Sequence, residues 1–290
     1  MRVTQGMLSN NMLRNLMNSQ QRMSMYMEQL YTGKKISRPS QDPVVAVKGI
    51  NFRKQLAQVE QYKRNASEIH NWMDNSDTAL DKATQSLTRV RELIIQANND
   101  HYGPDERESI KQEVVQLKSH LIEIANTNVN NKYIFNGINT ANRPVEDTGA
   151  EIIVNSNNAP FYIAVSNQTE IQANVLPGDV FTQELFDELD QLMESLENGD
   201  DLNENLEQMD IHINNIINAR AELGARMNRL ELVENRLNEQ EVIATRIMSE
   251  NEDVHMEEAI TNLITQESLH RAALAAGSRI IQPTLIDFLR

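Results

Sequence analysis

From Val59 to Ala97 the chain repeats apolar residues at alternating intervals of three and four. Val59, Tyr62, Ala66, Ile69, Met73, Leu80, Ala83, Leu87, Val90, Ile94 and Ala97 follow this beat, and Ser76 alone interrupts it. A period near 3.5 residues keeps one seam turned toward a partner helix, which is the pattern of coiled-coil packing and not of a helix lying on a globule. No glycine or proline falls between Gly49 and Gly103, so nothing in the interval breaks a helix. At 1.5 Å per residue, the stretch predicts a helix about 60 Å long, the core of a rod.

The segment Asn98-Asn99-Asp100-His101-Tyr102-Gly103 ends the pattern, and Pro104 with Asp105 and Glu106 suits a new helix start. Ile110, Val114, Leu117, Leu121 and Ile124 then resume the spacing, which predicts a fold-back into an antiparallel helical hairpin. A third stripe comprises Leu202, Leu206, Met209, Ile213, Ile216, Leu223, Met227 and Leu230, with Arg220 in one seam position. The fold class expected is mainly α, an elongated antiparallel helical rod built from both halves of the chain. Between Tyr133 and Val180 the texture changes. Glu151–Val154, Phe161–Val165 and Thr169–Asn174 are short β-prone runs separated by Asn, Ser and Pro. They predict a small inserted β subdomain that must lean on the rod, because so small a sheet is marginal alone.

Both chain ends are amphipathic. In the first 30 residues Leu8, Met12, Leu16, Met23, Met27 and Leu30 share a helical face, widened by Met7, Leu13 and Met17. In the last 30, Leu263, Ile264, Leu269, Ala272, Ala273, Ala276, Ile280, Ile281 and Leu285 do the same. Two readings stand. The two helices pair with each other and complete a bundle, or their faces stay partly uncovered until other copies close over them. Methionine, abundant at 13 residues, adapts to changing packing partners.

Composition narrows the classes. Residues 1–64 hold 11 Lys/Arg against 3 Asp/Glu, a net of +8, so the remainder carries −23 within the total of −15. A chain this acidic does not coat nucleic acid, and no apolar run approaches a membrane span. No Lys or Arg occurs between Arg143 and Arg220. That stretch is either a solvated acidic face or one half of a complementary contact with the basic surface of a neighbouring copy. The absence of cysteine excludes thiol catalysis and Cys-based metal sites. With aromatics at 4%, a core centred on aromatic rings is not expected.

Few residues suggest chemistry. Glu252-x-x-His255 and Glu267-x-x-His270 are two Glu-x-x-His pairs, the unit that binds iron in helical bundles. They fall on what reads as one uninterrupted helix, about 22 Å apart along its axis, so they are expected to face solvent and not to share a metal. Thr32-Gly33-Lys34-Lys35 lacks the first glycine of a phosphate loop. Gly33 instead suits the left-handed end of the first helix. Trp72, beside Met73, is expected in packing. Gly224, inside a helix, suggests close approach of a neighbouring helix. No catalytic constellation, metal site or cofactor site emerges.

Five segments carry a family resemblance. Leu30-Tyr31-Thr32-Gly33-Lys34-Lys35-Ile36-Ser37-Arg38-Pro39-Ser40-Gln41-Asp42-Pro43 resembles the turn after the first helix of flagellin-family proteins. Val90 through Asn98 is similar to that family's long-helix signature, and Tyr133-Ile134-Phe135-Asn136-Gly137 to its entry into the variable insertion. Leu223 through Leu230 resembles the return helix, and Ile280 through Arg290 the C-terminus. The Met-rich opening, Asp42-Pro43 and the short insertion look most like the hook–filament junction branch. The resemblance implies a non-enzymatic flagellar subunit, extracellular, secreted by the type III route without a cleaved signal peptide. Its partners would be copies of itself in a ring or helical array, hook-associated protein 1, flagellin, and an export chaperone on the C-terminal segment. Terminal assembly helices would occupy 1–45 and 250–290, the rod 46–137 and 180–249, and the β insertion 138–179. The assembly faces would be those of Leu8 to Leu30 and Leu263 to Leu285 named above. Val59, Ile69, Met73, Leu80, Leu87, Val90, Leu223, Met227 and Leu230 would form the rod seam. A filament-forming flagellin is the nearest alternative, and a metal-dependent helical-bundle enzyme a remote one.

Overall fold

A computed structural model describes residues 5–98, 103–148 and 152–280. Among the described residues, six α-helices and six short strands follow one another: α1 (Gln5–Thr32), α2 (Pro43–Ala97), α3 (Pro104–Ala125), β1 (Asn128–Val129), β2 (Lys132–Tyr133), β3 (Val145–Asp147), β4 (Ile152–Val154), β5 (Tyr162–Ser166), β6 (Thr169–Gln172), α4 (Gln183–Asn198), α5 (Asn203–Glu252) and α6 (Met256–Ile280). The chain is mainly α, with α2 and α5 running 55 and 50 residues. Two compact units share it, one from Met1–Gln58 and Gln240–Arg290, the other Val59–Glu239.

The Val59–Glu239 unit holds one continuous apolar core drawn from α2, α3, α4, α5 and the strands. From Val59 on, nearly every third or fourth residue of α2 is in it, with Ile69, Met73, Leu80, Leu87 and Val90 wholly buried. Ser76, the break in the apolar beat, is buried too, and its hydroxyl donates to the Trp72 carbonyl at 2.9 Å. Ion pairs lock the antiparallel helices in register: Arg91 to Asp210 at 2.5 Å, Arg89 to Glu113 at 2.7 Å, Lys111 to Glu197 at 2.8 Å, and Lys118 to Asp190. Helix α3 starts with Pro104 in its first turn and acids behind it. Residues 99–102, where the sequence predicts the fold-back, lie outside the described residues.

Helix α4 carries a five-residue buried stripe, Leu185, Phe186, Leu189, Leu192 and Leu196. Thr182 Oγ1 accepts from Leu185 N to start it, and Gly199 ends it in the left-handed region. The acidic stretch is thus a packed helix, with Asp200 and Asp201 in the turn before α5.

The small β-rich part expected takes the form of separate antiparallel hairpins: β1–β2 just ahead of the insertion, and β3–β4 and β5–β6 within it. Strands β4 and β6 fall within the predicted β-prone runs, and β5 overruns its own by one residue, Ser166; Glu151 lies outside the described residues. The first hairpin and β3 were not legible, being two or three residues long. The hairpins do lean on helices. Asn65 Nδ2 donates to the Ala164 carbonyl at 2.8 Å, Tyr62 Oη to Asn167 Oδ1 at 2.6 Å, and Arg226 Nη1 to the Asn174 carbonyl at 2.9 Å.

Two packing expectations are corrected. Aromatics are scarce but central, since Phe135, Phe181 and Phe186 are among the largest wholly buried side chains. Phe135 and Phe181 meet edge to face at 5.0 Å, and Trp72 lies 6.2 Å from Phe161. A count of aromatics says nothing about where the fold concentrates them. Gly224 has no heavy atom within 4 Å of where its Cβ would be, so close helix approach is not the reason for it.

Candidate assembly surfaces

Helices α1 and α6 lie antiparallel against each other, with Met12 beside Gly277 and Ser19 beside Gln266 and His270. A Cβ on Gly277 would sit 1.5 Å from Met12 Cε, so the thioether methyl fills the space glycine leaves. Ser19 Oγ accepts from Gln266 Nε2 at 2.9 Å and lies 3.2 Å from His270 Nδ1. These polar contacts fix the register of an otherwise adaptable Met-rich interface.

The pairing takes only part of each predicted face. Met12, Leu16, Met23 and Leu30 on α1, with Leu263 and Ala273 on α6, are half-buried. Leu8, Met27, Leu269 and Ala276 remain exposed, and so do Met7, Leu13, Met17, Ile260, Ile264 and Leu274. Met17 is 68% accessible. Ile280 closes α6; Ile281, Leu285 and the C-terminal motif lie outside the described residues. The helices therefore pair, as the first reading expects, and still present large apolar side chains on both members. Exposed apolar area gathered on one element marks an interaction surface more often than scattered singletons do.

A polar joint anchors this pair to its flanking helices. Gly33, at φ +69°, ends α1 while its N–H donates to the Gln29 carbonyl at 2.8 Å. The chain then pairs with the break between α5 and α6: Lys35 N donates to the Glu252 carbonyl at 2.7 Å, and Val254 N to the Gly33 carbonyl at 2.9 Å. Arg53 donates to Glu252 Oε2 at 2.6 Å; Lys34 Nζ lies 2.6 Å from Asp253 Oδ1 and 3.6 Å from Glu252. Lys35 Nζ caps the end of α5 through the Glu250 carbonyl at 2.6 Å. Asp42 starts α2, accepting from Val44 N and Val45 N at 2.9 and 3.1 Å ahead of Pro43. The hydrogen bond from Lys34 holds the Asp253 carboxyl below its ordinary value, helped by Ser249, and Asp253 in turn raises Lys34. Hydrogen bonding to Glu252 raises Arg53.

This joint overturns the reading of residues 252–270 as one helix. Residues 253–255 interrupt it without glycine or proline, because backbone groups there leave the helical ladder to pair with the α1–α2 turn. Nor does Glu252 face solvent. It is 6% exposed, and its carboxylate is engaged by Arg53 and Lys34, not presented beside His255 to a metal. Lys34, Gly49, Arg53 and Asp253 were missed as site residues. The only signal for them was the Gly33-Lys34-Lys35 portion of the turn motif.

The seam residues belong to the Val59–Glu239 unit. Val59, Ile69, Met73, Leu80, Leu87, Val90, Leu223 and Leu230 are buried in the core, with Met227 partly buried against it. Arg220, the seam's cation, donates to Asp77 at 3.0 Å and Asp81 at 2.8 Å, and these contacts raise its pKa, the Asp77 hydrogen bond most. His212 and Glu188 form a buried contact of 2.6 Å between α5 and α4.

The sequence models described as "Bacterial flagellin N-terminal helical region" and "Bacterial flagellin C-terminal helical region" match residues 3–140 and 206–289. Flagellar hook-associated protein 3 of Escherichia coli is 27% identical, over 94% of each chain. The crystal structure of FlgL from Bacillus cereus aligns with 69% of this chain and 99% of its own at a TM-score of 0.60 and 27% identity. The flagellar junction protein FlgL from Legionella pneumophila shares the fold, with a TM-score of 0.60 over 71% of this chain and 99% of its own at 16% identity.

Proposed function

Since the chain belongs to the flagellin family and is thereby a structural protein of the bacterial flagellum, we propose that it is an adaptor at the hook–filament junction, joining hook-associated protein 1 to the first flagellin subunits. The observation that carries this reading is the pair of terminal helices, docked on each other yet apolar on their outward sides. A subunit that ended its own packing there would have no use for Met17, Leu13, Leu269 and Ile264 in water. Head-to-tail contacts between such faces are heterologous and build rings or tubes instead of closed dimers. The likeness to a hook-associated protein 3 over nearly the whole of both chains favours the junction over the filament. On this reading the chain leaves the cell unfolded through the flagellar type III channel, with an export chaperone holding its C-terminal segment. It then orders in an extracellular ring of its own copies.

Cells lacking the gene test this. Loss of a junction adaptor releases unpolymerised flagellin into the medium, and the wild-type chain restores filaments. Hooks without filaments and no flagellin in the medium would instead identify a filament subunit.

A further inference from the structure

Where α2 begins and α5 ends, the two helices pair within one unit of the chain. Asn251 Nδ2 donates to the Val45 carbonyl at 3.1 Å, Glu252 packs where a Cβ on Gly49 would stand, and Arg53 reaches the same carboxylate. Val45, Gly49 and Arg53, four residues apart, therefore mark the inner side of α2. Its outer side carries Val44, Val47 and Ile50, exposed at 64%, 59% and 64%, with Asn51 and Lys54 exposed among them. On α5 the inner side holds Ala244 and Glu252, both buried. The outer side carries Val242 and Ile243, exposed at 68% and 47%, together with Arg246 and Glu250. Large aliphatic side chains thus stand in water on both helices, and covering them brings a desolvation gain that the described chain leaves unused.

The two outer sides point away from each other and share a level. Counting along both helices from the Gly49–Glu252 contact at 1.5 Å per residue, Lys54 and Ile243 come within about one turn of the same height. Opposite sides at one level let a chain touch a neighbour on either hand; an end-to-end stack would use neither. Their charge differs in sign as well. Lys48, Arg53 and Lys54 are the only charged residues of α2 before Glu60, whereas α5 from Gln240 onward holds Glu241, Glu250 and Glu252 against Arg246. Lys48, Lys54 and Glu250 have no ion-pair partner among the described residues.

We propose that these sides meet between neighbouring copies: the Val44–Lys54 side of α2 in one chain packs against the Val242–Glu250 side of α5 in the chain beside it. The occupant is a second copy because each chain carries both halves of the contact, aliphatic on each, with unpaired Lys48 and Lys54 on one and unpaired Glu250 on the other. Such a contact is heterologous, so each chain keeps one side open for the next and a ring or tube can propagate. Between copies of net charge −15, the basic side guides the encounter toward the acidic one and away from its like. The contact rests on the adaptor reading above and adds a side-by-side junction to that of the terminal helices.

The chain contains no cysteine, so introduced thiols report single positions. In cells lacking the gene, the full chain carrying Asn51→Cys and Ile243→Cys is expected to restore filaments. A flexible bis-maleimide applied to the isolated flagella should give a ladder at multiples of the chain's mass, while each single variant stays monomeric. Monomer alone from the incorporated double variant overturns the proposal, as does a benzophenone attached through Asn51→Cys that joins only a protein of different mass. Val47→Asp and Val242→Asp supply an independent measurement. Both positions are exposed, so the thermal midpoint of the purified chain should hold, while each variant should release several-fold more flagellin into the medium than the wild type. Retention at the wild-type level by either variant counts against the contact, and a lowered midpoint would show that the side is already packed within the chain. If the wild-type chain itself fails to retain flagellin, the adaptor reading falls; if it retains flagellin and the ladder is missing, the adaptor reading stands and this contact does not.

Discussion

The carboxylate of Glu252 shows how much one residue organises. It is buried, its Oε1 would stand 2.6 Å from a Cβ on Gly49, and its second oxygen takes Arg53 at 2.6 Å. Replacing Arg53 with Met leaves only Lys34, at 3.6 Å. Arg53 is itself largely in solvent, so the expected loss is about 1–2 kcal/mol, read as a lower urea midpoint. The neighbouring pair has a definite pH signature. Asp253 titrates lower in the folded chain, so its stabilisation is complete above the carboxylate's ordinary value of 3.8 and is lost as pH falls through the depressed one. Lys34 is raised, so its share is complete below 10.5 and is lost as pH climbs through the elevated value. Asp253→Asn should flatten the acid limb of the stability–pH curve; an unchanged limb would refute the link. Two glycines separate by the same logic. Gly137, at φ +53° with the Asn157 carbonyl 2.1 Å from its would-be Cβ, should lose about 2–4 kcal/mol on change to Ala through clash and strain. Gly224→Ala meets nothing and should gain about 0.5–1 kcal/mol. Thermal unfolding of the two variants checks both.

Among the elements, the long helices were the most legible, because the 3–4 beat from Val59 to Ala97 is enforced by burial at nearly every step. What the sequence concealed was tertiary in origin. The α5–α6 break contains no helix-breaking residue; it exists because Gly33 and Lys35 offer Gly33 O and Lys35 N to residues 254 and 252. The hairpin β1–β2 and strand β3 are too short to show alternation, and Asn136 and Asn174, which bind loop backbone at 2.8–3.2 Å, look in sequence like any loop asparagine. The terminal helices were legible as amphipathic, but not how their faces divide, since Leu16 and Met17 are equally apolar and only packing on α6 tells them apart. That division predicts that Gly277→Val, which drives a branched side chain into Met12, unseats α1 from α6 while sparing the core built around Val59–Leu237. Its thermal midpoint should move little while incorporation into flagella is lost. A variant that still incorporates would speak against a role for this pair in assembly.

For the molecule as a whole, the proposed adaptor role requires that the terminal helices, paired but incompletely covered in the single chain, be closed over by neighbours in the flagellum. Hydrogen exchange measured on the purified chain and on isolated flagella tests this directly. In the lone chain, amides of α1 and α6 should exchange far sooner than those of α2 between Val59 and Ala97, and in flagella they should become as slow as that core. Equal protection of α1, α6 and the core in the lone chain, unchanged on assembly, would contradict it.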